Sequence, residues 1–244
     1  MLTVDHELLG IQGSDRVLDC GCGTGRHSWG TYKQIDCSIC ALDIGQDDLQ
    51  KTRYALWQVD EQEKRNGRWL AIRGDATALP FRDATFDKVV CSEVLEHLTD
   101  DRAGLAELVR VLKPHGMLAV SVPAYLAESL CWKISKGYRT TPGGHVRIYR
   151  PGQLAALLSH SNLRICAVRR KHALHSVYWV LRCIFGIRKE KALIPSLYYR
   201  FLVWDLKTKS KPVRLLEDLL NRLFPKSVVI YALKGDDGGH SRTD

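Results

Sequence analysis

Residues Arg16–Ser28 read RVLDCGCGTGRHS. The run to Cys20 is short and mostly apolar, which predicts a strand over Arg16–Cys20. Glycines at 21, 23 and 25 follow at once, and a helix is expected from about Arg26 to Lys33. Glycine lets a backbone turn sharply and approach a ligand with no Cβ in the way. A strand, a glycine turn and a helix in that order open a nucleotide-type βαβ unit. The spacing is not G-x-G-x-x-G, because the third glycine comes one residue early.

Moving outward, a second strand is expected at Ser38–Ile44, with Asp43 near its end, 18 residues after Gly25. An acid at that point accepts hydrogen bonds from ribose hydroxyls and repels a 2′-phosphate, which describes an adenosine-containing ligand. Helix patterns follow at about Gln46–Arg65 and Asp101–Leu112, and strand patterns at Trp69–Arg73, Lys88–Cys91 and Met117–Val122. Pro114, His115 and Gly116 read as the stop of the second of these helices. The alternation predicts an α/β fold with a mostly parallel sheet and helices on both faces. Ligands of such sheets bind beyond the carboxyl ends of the strands. That singles out Asp19 to Gly25, Asp43, Asp75, Ser92 to His97, and Pro123 onward.

The second half is less regular. A helix is expected at about Pro151–His160, strands at Leu163–Val168 and Ser227–Leu233, and helical apolar spacing over 169–224. Charge is also unequal: residues 1–122 hold 14 Lys+Arg against 19 Asp+Glu, residues 123–244 hold 22 against 8. A basic half predicts an anionic partner such as a membrane surface, a phosphorylated substrate or nucleic acid. Trp179, Tyr198, Tyr199, Phe201 and Trp204 stand in this half, flanked by Arg169, Arg170, Lys171, Arg188, Lys189, Lys191, Lys207, Lys209 and Lys211. That composition suits an interfacial membrane helix or a cap that admits a lipid-like molecule. It also suits single-stranded nucleic acid.

The chain starts without a basic stretch leading into an apolar run, and no apolar run spans a bilayer. A cytoplasmic protein is expected, with peripheral membrane contact through the basic half as a further expectation. Eight cysteines, most of them inside apolar runs, fit a reducing compartment. Cys37 and Cys40 form a C-x-x-C with no second pair to answer it, so both read as core residues.

VLDCGCGTGRHS resembles motif I of class I S-adenosylmethionine-dependent methyltransferases, the type 11 group in particular. ALDIG, GDATALPF, FDKVVCSEVLEHL and LVRVLKPHGMLAVSVP resemble further motifs of that family in order, covering about residues 13–123. The resemblance implies a seven-stranded, Rossmann-like sheet that binds S-adenosylmethionine. Gly21, Gly23 and Gly25, with Cys22 and Thr24 between them, would pass under the methionine part. Asp19 would help hold its amino group, Asp43 with Ile44 would take the ribose, Asp75 and Ala76 the adenine, and Ser92 would face the methionine or the methyl group.

Glu93-Val94-Leu95-Glu96-His97 is an E-x-x-E-H. On a helix its two carboxylates and imidazole share one face and suit Mg²⁺, Mn²⁺ or Zn²⁺. The segment resembles the metal-binding E-x-x-E-H of small-RNA 2′-O-methyltransferases and of ubiquinone-pathway O-methyltransferases, which implies a fourth ligand downstream, here His145. Two other readings stay open: His97 and Glu96 as metal-free catalytic groups with His145, or all of them as structural residues. Gly143, Gly144, His145, Arg147 and Tyr149 read as a lid that offers donors over a pocket.

The expectation is therefore one methyltransferase domain over residues 1–235, with its core at 13–123. Cap insertions would lie at about 124–150 and 169–224, and 236–244 would form a disordered tail. The expected reaction is O-methylation of a small or lipophilic acceptor such as a phenol, quinol, glycolipid or secondary metabolite. The alternatives are an RNA methyltransferase and a non-catalytic adenosyl-ligand-binding or membrane-associated scaffold.

Overall fold

The structure is a computed structural model that describes residues 2–141, 143–187, 192–208 and 210–236. Arg188, Lys189, Lys191, Lys209 and the tail from 237 onward, expected as part of the basic cap and as a disordered end, lie outside the described residues.

The glycine-turn stretch forms as expected. After the one-turn helix α1 (His6–Leu9) come β1 (Arg16–Cys20), α2 (Arg26–Gln34), β2 (Ser38–Asp43), α3 (Gln46–Glu63), β3 (Trp69–Arg73), β4 (Phe86–Ser92), α4 (Asp101–Val111) and β5 (Leu112–Pro123). The second half adds α5 (Tyr125–Ile134), α6 (Lys136–Arg139), α7 (Gln153–Ser159), β6 (Leu163–Lys171), α8 (Ala173–Phe185), α9 (Leu193–Thr208), α10 (Lys211–Leu223) and β7 (Ser227–Lys234).

The sheet has seven strands in the order β3-β2-β1-β4-β5-β7-β6. All neighbours pair in parallel except β7, which is antiparallel to both β5 and β6. Strand direction in the chain reverses its progress between β1 and β4, which opens a crevice at their carboxyl ends.

The two-residue period of the strands builds two cores. Leu18, Leu42, Val89 and Leu118 face one layer with Leu105 and Leu108 of α4. Val17, Ile39, Val90 and Ala119 face the other with Tyr32 of α2 and Leu56 of α3. Strands buried on both faces are what a parallel sheet between helix layers requires. Each such leucine or valine contributes about 1.5–3 kcal/mol on burial.

Cys37 and Cys40 fall into opposite cores, so one metal ion or one disulfide cannot join them. Both are buried and free.

Most boundaries fall within two residues of expectation, and three differences are informative. Helix α4 ends at Val111 and β5 begins at Leu112, so Pro114–Gly116 lies inside the strand, with His115 at φ 61°. Helix α7 starts at Gln153 because Gly152, at φ 81°, forms its N-terminal boundary after the turn at Pro151. Strand β6 runs on to Lys171, three residues past its expected end. Its pairing with β7 continues to Lys171–Ser227, and this partner was invisible to local pattern. No described helix is long and apolar enough to cross a membrane.

Candidate active site

The carboxyl ends of β1 to β4 surround a cleft of about 1210 Å³. Gly21, Gly23, Asp43, Ile44, Asp75 and Ala76 line one part of it; Glu93, His97, Gly143, Gly144 and His145 line another.

The glycine turn is pinned by Gly21 and Cys22, whose N–H groups donate to the Leu42 carbonyl at 2.7 and 3.0 Å. Gly21 has φ 72°, and a Cβ there would lie 2.2 Å from the Val94 side chain. At Gly25, φ is 77° and a Cβ would meet Thr52 at 2.6 Å. At Gly23, φ is 53° and the space a Cβ would occupy is open. Gly21 and Gly25 are thus required by packing, while Gly23 presents bare backbone to the cleft.

Asp43 Oδ2 accepts from Gly23 N at 2.7 Å, and its Oδ1 accepts from Gly45 N at 2.8 Å. A carboxylate oxygen accepts more than one bond. Asp43 therefore fixes the turn and retains acceptor capacity for hydroxyl groups. Asp75 Oδ1 accepts from the N–H and hydroxyl of Thr77, both at 2.8 Å, and these bonds lower its pKa. The loop that follows is clamped by Arg110, which donates to the Leu79 and Phe81 carbonyls and to Asp83 and Glu107.

Three of the remaining cofactor candidates, Asp19, Cys22 and Ser92, are buried behind this surface. Asp19 is buried and accepts from Ser28 Oγ at 2.5 Å; burial raises its pKa to about 6 against that bond. Cys22 is buried beside Thr52, and Thr24 is exposed. Ser92 is buried, with its Oγ 2.9 Å from Ser121 Oγ.

The E-x-x-E-H segment is not helical. Glu93 has φ 59°, and its N–H donates to the Ser121 carbonyl at 2.9 Å, which turns the chain out of β4. Its carboxylate is held by Ser121 Oγ (3.3 Å) and Lys226 Nζ (3.6 Å) and does not join the donor group that Glu96 and His97 enter. In its place the fold brings in His145. Glu96, His97 and His145 hold donor atoms within 4.8 Å of one another, and the two imidazole centroids are 4.8 Å apart.

Glu96 is 0% exposed, and neither carboxylate oxygen has a hydrogen-bond partner. Burial, with Glu93 nearby, raises its pKa well above the usual range. An unpaired carboxylate in such a place is stable only when protonated or when bound to a cation. His97 Nδ1 lies 3.2 Å from the Gly144 carbonyl, so that nitrogen is the donor and Nε2 is left as an acceptor. Burial and the adjacent His145 lower the His97 pKa.

His145 is oriented by a residue that the sequence reading passed over. Glu128 on α5 is 2% exposed, and its carboxylate takes His145 Nδ1 at 2.6 Å, Trp132 Nε1 at 2.8 Å and the Tyr138 hydroxyl at 3.0 Å. Burial raises the Glu128 pKa, and the bond and charge of His145 more than reverse this, leaving it below the usual value. One signal was available: Glu128 is the sole acid between residues 124 and 150.

The expected lid divides in two. Gly143, Gly144 and His145 reach the cleft. Arg147 and Tyr149 anchor it instead: Arg147 pairs with Asp101 and donates to the Leu98 and Thr99 carbonyls, and Tyr149 donates to Asp101 at 2.5 Å. Asp101 opens α4 and is partly buried, so the two donors are drawn to it rather than left over the cleft.

Residues 18–120 match the family described as a methyltransferase domain, in its type 11 group. Over 117 residues the chain is 33% identical to a demethylmenaquinone methyltransferase of Beutenbergia cavernae, covering 47% of this chain and 43% of that protein. Over 120 residues it is 31% identical to an O-methyltransferase of Aspergillus nomiae, covering 48% of this chain and 50% of that protein. The chain thus spans half or less of the length of these curated relatives. A solved SAM-dependent methyltransferase from Methanosarcina mazei has the same fold, with a TM-score of 0.63 at 18% identity over 96% of this chain and 98% of that one.

Proposed function

We propose that residues 18–120, which match a family described as a methyltransferase domain, form a class I S-adenosylmethionine-dependent domain, and that the chain transfers a methyl group to an oxygen of a small, lipophilic acceptor. Residues 1–235 would act together, the helices after β5 and β6 capping the cleft. One observation carries the reading: a single cleft joins Gly23, Asp43 and Asp75 to His97 and His145.

S-adenosylmethionine supplies a sulfonium methyl group that is already activated toward in-line displacement. The chain's own residues then bind, align and manage one proton. Gly23 lets the methionine part approach, Asp19 supports its ammonium group, Asp43 takes the ribose hydroxyls, and the 75–77 loop meets the adenine. Alignment of this kind supplies about 7–11 kcal/mol of the barrier. Where no ion is held, His97 Nε2, freed by the bond from Nδ1 to Gly144, would take the acceptor's hydroxyl proton. His145, fixed by Glu128, offers a second imidazole nitrogen at the same place.

Glu96, His97 and His145 form a donor set of one carboxylate and two imidazoles, which fits a divalent ion of the Zn²⁺ or Mn²⁺ type better than Mg²⁺. The unpaired carboxylate of Glu96 supports this reading. Such an ion lowers the pKa of a bound hydroxyl. Glu93 is not proposed as a ligand. His97→Ala should lose both metal content, measured by elemental analysis, and methyl transfer. Full activity with an excess of chelator would remove the ion from the scheme.

The type of acceptor rests on the relatives' quinone and O-methyltransferase names. Incubation with labelled S-adenosylmethionine and a panel of phenols, quinols and glycolipids tests it. Label transferred to RNA alone would overturn it.

A further inference from the structure

Helix α10 is amphipathic in the wrong sense for a helix that only packs on its own domain. Its inward side carries Asn221 and Glu217; Asn221 Oδ1 accepts from the Ala173 N–H at 2.9 Å. Four of its five leucines are exposed, among them Leu215 at 74%, Leu219 at 58% and Leu223 at 68%, while Leu220 is half-buried. A water-facing helix ordinarily does the reverse.

The neighbouring helices repeat the feature. Both α9 and α10 pack on α8. Leu193, Leu197 and Trp204 of α9 and Ile184 and Phe185 of α8 are exposed as well. Exposed apolar surface on this scale marks an interaction face. Lys207, Lys211, Arg214 and Arg222 stand exposed on the same helices. Residues 169–224 hold thirteen Lys and Arg against four Asp and Glu.

We infer that the face carried by α8, α9 and α10 docks on an anionic lipid bilayer. Outward leucines enter the apolar boundary, and the basic side chains meet the headgroups, the arrangement of an interfacial helix. A second copy of the chain would set two strongly basic faces against each other, at an electrostatic cost. Nucleic acid would use the charge and leave the leucines in water. The face also communicates with the cleft: Trp179 of α8 lies 5.9 Å from the ring of Tyr138, which donates to Glu128. The purpose of docking, delivery of a lipophilic acceptor, rests on the proposed reaction; the docking does not.

The test is co-sedimentation of the full chain with vesicles of equal parts phosphatidylglycerol and phosphatidylcholine, and with pure phosphatidylcholine, at low and high salt. Binding to the anionic vesicles is expected, several-fold weaker in high salt or on the neutral vesicles. Leu215→Glu with Leu219→Glu should weaken binding roughly tenfold or more while leaving the melting temperature unchanged. Leu70→Glu, an exposed leucine on β3, should bind as the unaltered chain does. If the unaltered chain ignores anionic vesicles, or the double variant binds like it, the inference fails. It fails also if the chain dimerises by analytical ultracentrifugation and the double variant is monomeric, since the face would then be a self-association surface. A chain that binds vesicles and transfers no methyl group to any acceptor refutes the proposed reaction and leaves this inference standing. Transfer to soluble acceptors without vesicle binding does the opposite.

Discussion

The two halves of the chain handle apolar side chains in opposite ways. In residues 16–123 leucines and valines fill the two sides of a parallel sheet, and acids stand where strands end. In residues 173–223 thirteen large hydrophobics are exposed, among them four leucines of one helix. The first half is a scaffold whose polar groups converge on a cleft. In the second half, helix α10 holds Asn221 and Glu217 inward and turns four leucines outward. An ordinary core accounts for the buried leucines and valines of the first half. The exposed leucines of the second half are the observation from which docking on a bilayer is inferred.

The largest effect expected is on the chemistry that the first half supports. Loss of the imidazole in His97→Ala should cut single-turnover transfer by roughly 10²–10⁴-fold, with S-adenosylmethionine affinity held within a few-fold. Equal loss of both would make His97 a binding residue. The contrast between halves is sharpened by a matched pair of truncations. Leu118→Ala, in a fully buried strand position, should cost about 2–5 kcal/mol in denaturant unfolding. Leu219→Ala should stay within about 0.5 kcal/mol. Similar costs at both sites would mean that α10 packs on something within the chain and would break the comparison.

A smaller effect is expected where the halves meet. Glu128→Gln keeps the shape of the site but weakens the orientation of His145, so turnover should fall about tenfold, the equivalent of one charge-assisted hydrogen bond. The KM for S-adenosylmethionine should not move, and Glu128→Asp should restore part of the loss. A rise in KM alone would place Glu128 with the cofactor instead.

The smallest effect is a pH dependence. Burial holds the Asp19 pKa at about 6 against a reference of 3.8. The native state therefore binds the Asp19 proton more tightly than the unfolded chain does, and this contribution to stability is lost as pH rises from 3.8 toward about 6. An ammonium group beside Asp19 favours the ionised form, so cofactor affinity should rise a few-fold as pH climbs through 6. A flat profile between pH 5 and 7.5, both approximate ends of the titration window, would separate Asp19 from the ammonium group.

Legibility followed the same divide. The order strand, glycine turn, helix, strand, acid was readable because each step depends on neighbours in sequence: apolar alternation, φ freedom at Gly21 and Gly25, and Asp43 at a strand end. The antiparallel course of β7 and the length of β6 depend on partners distant in the chain, and local pattern could not give them. At the site, His97 and His145 were both singled out by residue type, and the fold brings them to 4.8 Å. Glu93 was placed with them on the assumption of a helix, which its positive φ rules out. Glu128 escaped because its meaning lies in what it touches, 17 residues away, rather than in any spacing. Arg147 and Tyr149 were assigned to the cleft by donor chemistry, and Asp101 claims both.

The most direct test of the cleft as a donor site is calorimetric titration of the protein with S-adenosylmethionine, in parallel with Asp43→Ala. Micromolar binding, weakened by roughly 10–100-fold in the variant as two charge-assisted hydrogen bonds are lost, is the predicted result. Equal affinity in both proteins, or no binding by the unaltered chain with and without Mn²⁺ or Zn²⁺, would contradict it.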